Sequence, residues 1–190
     1  MNLIRMIRLM RDEQVFESGK PIPKLAPEFF VGAAANPFSP PFDFRPLRLA
    51  KKIRAGAQFI QTQLVFNLDR FREYMKQVND LGLDEQLYIL AGVGPLKSVR
   101  AANFMATKVA GMDVPQVLVD RMAKTPKAAQ PEEGIRICTE IIEQVREIPG
   151  VAGLHIMAVH WADSVPEIVS RAGLHPRPGI EKEVHEELAS

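Results

Sequence analysis

The 190-residue sequence is poor in several things that would define a function by themselves. It has one cysteine, Cys138, so an internal disulfide and a cysteine-rich zinc site are both excluded. That usage fits a reducing cytoplasm. The net charge is only +1, which gives no global attraction to nucleic acid or to a membrane surface. No apolar run is long enough to span a bilayer. The start, MNLIRMIRLMRDE, has basic and apolar residues but no long apolar core and no small-residue cleavage site, so it is not read as a signal peptide. Metal-ligand spacing is missing, and so is a convincing set of nucleophile, base and acid. Gly92-x-Gly94-Pro95 departs from a dinucleotide fingerprint, because Pro95 and Leu96 follow where a third glycine should approach.

What is present is the composition of a globular domain, 46% hydrophobic and 25% charged, with enough apolar residues for a sizeable core. Leu3, Ile4, Ile7, Leu9 and Met10 predict an amphipathic helix over Asn2 to Phe16. Four strand-then-helix units follow. The strands are expected at Glu28–Ala34, Phe59–Val65, Leu87–Val93 and Val151–Val159. Helices are expected at Arg45–Ala55, from Asn67 or Asp69 to Asp80, from Ser98 to Ala110, and over Pro115–Ala123, Ile135–Ile148 and Val165–Ala172. Thr125–Glu133, rich in Ala, Pro and Gln, reads as the least ordered stretch, and the tail after Pro176 as polar and frayed. Such alternation means an α/β protein with a parallel sheet, its strands apolar on both faces under covering helices. Two architectures fit: a doubly wound open sheet, or part of a (β/α)₈ barrel. A complete barrel takes roughly 250 residues and eight strands.

In either architecture ligands meet the carboxyl ends of the strands. One tip is Ala34-Ala35-Asn36-Pro37, where small residues let a flat ligand approach the main chain; a tightly packed strand end with a proline turn accounts for it equally well. Gln63 follows Thr62 at the next tip. Its amide suits the polar edge of a heterocycle, or loose backbone groups of its own chain. Arg48, Lys51 and Lys52 lie on the helix after the first tip, with 48 and 52 one turn apart; they can hold a phosphate or form a solvated basic face. Phe104 and Met105 read as core on spacing alone, His155 as a satisfied core histidine, and Cys138 as inert packing. His160 and Trp161 lie at the last tip, placed for ligand contact.

Three stretches together carry a family resemblance: FFVGAAANPFSPPFDFRPLRLAKKIRAGAQFIQTQLVFNLDRF, LYILAGVGPLKSVRAANFM and VAGLHIMAV. They resemble the C-terminal half of the bacterial methylenetetrahydrofolate reductase catalytic domain. The resemblance covers residues 1–178, with a polar tail at 179–190. It implies about the last four strands of a (β/α)₈ TIM barrel and FAD as cofactor. The implied reaction is one of one-carbon metabolism and methionine biosynthesis. A hydride passes from NAD(P)H through the flavin to 5,10-methylenetetrahydrofolate, giving 5-methyltetrahydrofolate.

By the same resemblance Gln63 contacts the pterin, and Lys52 lies near the FAD phosphates with Lys51 and Arg48 on the same helix. Ala34 and Asn36 border the FAD. Phe104 or Met105 faces the shared nicotinamide and folate site. Where some relatives have an arginine for the folate tail, this chain has His160-Trp161. The early strands, which in the family bring the proton-donating acid, have no counterpart here. The resemblance therefore implies either a partial sequence with Met1 internal or a half-barrel. A half-barrel would self-associate or take a partner chain carrying the missing strands, because unpaired strand edges invite association. A non-catalytic half-barrel that binds folate is the alternative to an enzyme.

Overall fold

In a computed structural model, which describes residues 1–25 and 27–176, four parallel strands alternate with helices. The strands are β1 (Gly32–Ala35), β2 (Phe59–Leu64), β3 (Tyr88–Val93) and β4 (Gly153–Ile156), and they lie side by side in chain order. The helices are α1 (Asn2–Asp12), α2 (Arg45–Ala55), α3 (Leu68–Asp80), α4 (Val99–Lys108), α5 (Gln116–Lys124), α6 (Gln130–Arg146) and α7 (Val165–Arg171). A doubly wound sheet reverses its strand order at a switch point. Here the order runs β1-β2-β3-β4 without reversal. Right-handed crossovers then put every connecting helix on one face, the arrangement of a partial β/α barrel.

Alternation along the strands separates the two faces. Ala33, Ala35, Ile60, Leu64, Ile89, Ala91, Val93, Leu154 and Ile156 join the core under the helices, whose inward stripes include Leu49, Phe71, Met75, Ile137 and Ile142. The opposite face carries Ala34, Gln61, Gln63, Tyr88, Leu90 and His155, and no helix among the described residues covers it. The expectation of strands buried on both faces is therefore corrected: β1 alternates exposed and half-buried, and β4 is half-buried throughout.

The helix ends follow local chemistry. Gly56 closes α2 at φ 114°, a conformation that disfavours residues with a side chain. Asn67 caps α3 by accepting from the Arg70 N–H, and Ser98 caps α4 by accepting from the Ala101 N–H. Several boundaries differ from expectation. Helix α1 stops at Asp12 rather than Phe16, because the chain turns at Gln14 and Val15 bridges to Pro21. Strand β1 starts at Gly32 rather than Glu28, since Phe30 leaves the ladder to stack on Phe59 at 5.2 Å. Strand β4 covers only Gly153–Ile156 of the expected 151–159.

The stretch Thr125–Glu133 is not loose. It forms a 3-10 turn at Lys127–Ala129 and then the first turn of α6. Polar contacts hold it, which apolar periodicity cannot reveal. Gln130 donates to the Thr125 carbonyl and accepts from the Val99 N–H, while buried Glu133 pairs with Arg121 and Arg136. The expected tail at 179–190 lies outside the described residues.

Candidate functional site

A break in strand register builds the site. Gln61 pairs with Leu90, but Leu64 pairs with Gly92, so β2 spends one residue more than β3 over the same rise. The break interrupts the backbone ladder, and a side chain restores it. The Thr62 hydroxyl, in a buried residue, accepts from the Gly92 N–H at 2.8 Å and donates to the Gln63 carbonyl at 2.9 Å. The Gln63 side-chain carbonyl accepts from the Leu64 N–H at 3.0 Å, which leaves its NH₂ as a donor. Gly92 has no room for a side chain: a Cβ would lie 2.5 Å from the Thr62 carbonyl oxygen and 2.8 Å from Met157 Cε.

These residues open onto a cleft of about 460 Å³ at the carboxyl ends of the strands, a size that suits small-molecule binding. From the strands come Ala34, Ala35, Gln61, Thr62, Gln63 and His155. Asn36, Ser39 and Met157 come from the following loops, and Arg45, Arg48, Leu49 and Lys52 from one face of α2, with Tyr74 from α3. Three cations and no carboxylate line it. Lys52 donates to the Ala34 carbonyl, and burial, reinforced by Arg48, lowers its pKa from the usual lysine value. Burial raises the Tyr74 phenol. No group of three or more His, Cys, Asp or Glu side chains among the described residues is arranged to hold a metal.

The cleft gathers Ala34, Asn36, Arg48, Lys52 and Gln63, and it does not gather Lys51 or Phe104. Asn36 spends both ends of its amide on its own chain, donating to the Gly111 carbonyl at 3.0 Å and accepting from the Phe38 N–H at 2.9 Å. It pins the exit loop. Lys51 lies 5.1 Å over the Phe44 ring. Phe104 is 58% exposed on α4, not core, whereas Met105 packs against the core. His160 and Trp161 do not line the cleft, and Trp161 packs against the core with Lys97 over its ring at 5.6 Å.

His155 corrects the expectation of a satisfied core histidine: it lines the cleft, and its Nδ1 is buried without a partner. Sequence reasoning also missed Gln61 and Arg45. Gln61 sits two residues before Gln63 on one strand face, and Arg45 sits three before Arg48 and seven before Lys52 on one helical face. Both were visible as spacing.

A parallel sheet of four β/α units with a polar cleft at its strand ends places the chain in the β/α-barrel class. Within that class the chain belongs to the methylenetetrahydrofolate reductase family, whose model matches residues 2–173. It is 24% identical over 152 residues to a probable methylenetetrahydrofolate reductase (NADPH) of Caenorhabditis elegans, covering 77% of this chain and 22% of that one. It is 28% identical over 159 residues to methylenetetrahydrofolate reductase 1 of Schizosaccharomyces pombe, covering 77% and 25%. The chain thus spans about a quarter of the length of these curated relatives. Among solved structures, an uncharacterized Clostridium thermocellum protein described as binding two copies of 5-methyl-5,6,7,8-tetrahydrofolic acid matches with a TM-score of 0.58 and 18% identity. That match covers 76% of this chain and 52% of that protein, and it supports the fold.

Proposed function

We propose that this chain provides the cofactor-facing and pterin-facing half of a cytoplasmic methylenetetrahydrofolate reductase-like flavoprotein site. Such a site reduces 5,10-methylenetetrahydrofolate to 5-methyltetrahydrofolate with NAD(P)H as electron donor. The observation that carries the reading is the cleft's division of labour. Strand residues Gln61, Gln63 and His155 offer polar groups suited to a heterocycle, while α2 offers Arg48 and Lys52 to an anion. The donor set fits FAD, since cations in a lining without carboxylates suit its phosphates and small Ala34 leaves the β1 tip open to a flat ring. FAD, when bound, supplies the hydride relay. The Gln63 NH₂ orients a ring acceptor, and Lys52, tied to the Ala34 carbonyl, holds the β1 tip against α2.

The family's substrate and a reductase activity require the groups that close the other side of the cleft. Two features support a partner for the open face, either a second copy or a chain with further strands. Among the described residues, strands β1 and β4 each pair on one side only. Phe30 and Tyr88 stand 59% and 60% exposed beside Phe59 on that face. No helix among the described residues is long and apolar enough to cross a membrane.

The test is an absorbance and fluorescence titration of the purified chain with FAD, then with 5-methyltetrahydrofolate, alongside light scattering for its assembly state. Saturable FAD binding supports the reductase reading and calls for an NAD(P)H oxidation assay. Folate binding without FAD binding favours the alternative, a non-catalytic folate-binding half-barrel. Binding of neither refutes both for this chain by itself.

A further inference from the structure

Among the described residues, strand β4 pairs only with β3, and all four of its residues are half-buried. A groove of about 830 Å³ lies along its free edge, away from the cleft that holds Gln63. Leu154 and Ile156 of β4, Val169 of α7 and Leu174 beyond it give the groove an apolar lining, and each is only half-buried. Arg146, at the end of α6, and His175 add polar groups to it. Arg146 donates one Nη1–H to the Ala172 carbonyl at 3.1 Å, and its guanidinium carries further donors. Unpaired strand edges invite association, and folded chains commonly cover them with a helix or a loop.

The chain continues from this groove. His175 lines it, and the described residues stop at Pro176. Residues 177–190 read RPGIEKEVHEELAS and lie past the family-matched part of the chain. Ile180, Val184 and Leu188 recur every four positions, which puts one apolar stripe along a helix. Glu181, Glu183, Glu186 and Glu187 outnumber Arg177 and Lys182 on the other positions. On a helix, positions 180 and 188 stand about 12 Å apart, close to the roughly 13 Å of a four-residue strand. A helix this short is marginal in water and forms where it can bury an apolar face.

We propose that residues 177–190 dock as an amphipathic helix in the groove beside β4. Ile180, Val184 and Leu188 meet Leu154, Ile156, Val169 and Leu174, and the glutamates face Arg146. The tether decides the occupant. A segment joined to the groove through His175 and Pro176 acts at an effective concentration in the roughly millimolar range. A second copy would first meet the entropy cost of association. The segment therefore covers the β4 edge of its own chain, independently of any cofactor. The aromatic end at Phe30 and Tyr88 stays open to a partner. A chain that extends the sheet past β4 must displace the helix.

The experiment is paramagnetic relaxation enhancement on the full chain. Glu187→Cys carries a nitroxide beside the apolar stripe, and the native thiol, Cys138, is buried and stays unlabelled. The amide resonances of Leu154, Ile156 and Val169 are expected to lose at least half their intensity, while those of α2 keep theirs. Val184→Asp in the same chain is expected to restore the lost intensity. Both substitutions lie outside the core, and unchanged α2 resonances report an intact fold. A mixture of nitroxide-bearing chains with isotope-labelled chains that lack the nitroxide is expected to show no loss. Full intensity at the groove in the first sample, or a loss that Val184→Asp leaves in place, overturns the proposal. A loss in the mixed sample overturns it too, and assigns the groove to the tail of a second copy.

Discussion

Replacing Thr62 by Val isolates the hydrogen bonds that hold the β2 irregularity. Valine matches threonine in shape but removes the hydroxyl. In the wild type that hydroxyl accepts from the Gly92 N–H at 2.8 Å and donates to the Gln63 carbonyl at 2.9 Å. Both Thr62 and Gly92 are buried, so water cannot replace the lost partner. A buried N–H left unpaired costs about 1–3 kcal/mol. The added methyl returns less than about 1 kcal/mol. The net expectation is a loss of about 1–2 kcal/mol. With a urea slope of roughly 2–3 kcal/mol/M, the unfolding midpoint falls by about 0.3–1 M. Thr62→Ser keeps the hydroxyl and loses only a methyl, about 1 kcal/mol. The assay is urea unfolding of the three chains, followed by ligand titration of those that fold. If Val unfolds at the wild-type midpoint, or Ser falls as far as Val, the hydroxyl does not hold the break together and the account of the site's geometry is wrong.

Other expectations follow from single contacts. Gln63→Glu exchanges the NH₂ donor for a carboxylate, since the carbonyl already serves the Leu64 N–H; folate affinity should drop at least about tenfold, the scale of one misdirected polar contact, with unchanged circular dichroism. An unaltered affinity would remove Gln63 from the binding site. Gly134→Ala places a Cβ 1.9 Å from the Leu96 carbonyl oxygen, so α6 must retreat from the loop after β3; the loss should be about 1–3 kcal/mol in denaturant melts, and a melt unchanged from wild type contradicts that close approach. Glu140 accepts from Arg121 at 2.6 and 2.8 Å, and this hydrogen bonding holds its carboxyl below the ordinary value of 4.5. A depressed folded pKa gives stability that is present above the unfolded value and lost as pH falls through the folded one. The stability gap between wild type and Glu140→Gln should therefore be full near about pH 6 and shrink below about pH 4.5; a gap that stays constant to about pH 3 refutes the pairing.

The elements most legible in the sequence were those whose ends carry local chemistry. Asn67, Ser98 and Gly56 mark boundaries because a cap or a left-handed residue acts within a few positions of itself. Long-range contacts were not legible in the same way. The order at Gln130 and Glu133 depends on Val99 and Arg121, and nothing in a window of local sequence reports them. The Gly/Ala patch shows the same limit. Its small residues admit either a flat ligand or a tightly packed strand end, and at Gly32 packing takes the room: a Cβ there would meet the Phe59 ring at 2.2 Å. Only the Ala34 end of the patch opens on the cleft. His155 departs from the expected core histidine because an apolar neighbourhood in sequence does not say which strand face is covered, and no described helix covers this one.

That uncovered face is divided along the strands. Its amino-terminal end holds Phe30 stacked on Phe59 with Tyr88 beside them. Its carboxyl-terminal end holds Gln61, Gln63 and His155 with the cations of α2 beyond. Apolar area drives association with little direction, whereas polar groups select what they bind. A covering chain can therefore dock on the aromatic end without filling the polar end, and a ligand can enter the polar end without contributing to the docking. The two properties should separate under mutation. Tyr88→Lys, which places a charge among the aromatic rings, should weaken assembly while leaving ligand affinity at the Gln63 end in place. Gln63→Glu should do the reverse. If one substitution abolishes both properties in a chain that remains folded, the cleft is formed only on assembly, and the division of the face into a docking half and a recognition half fails.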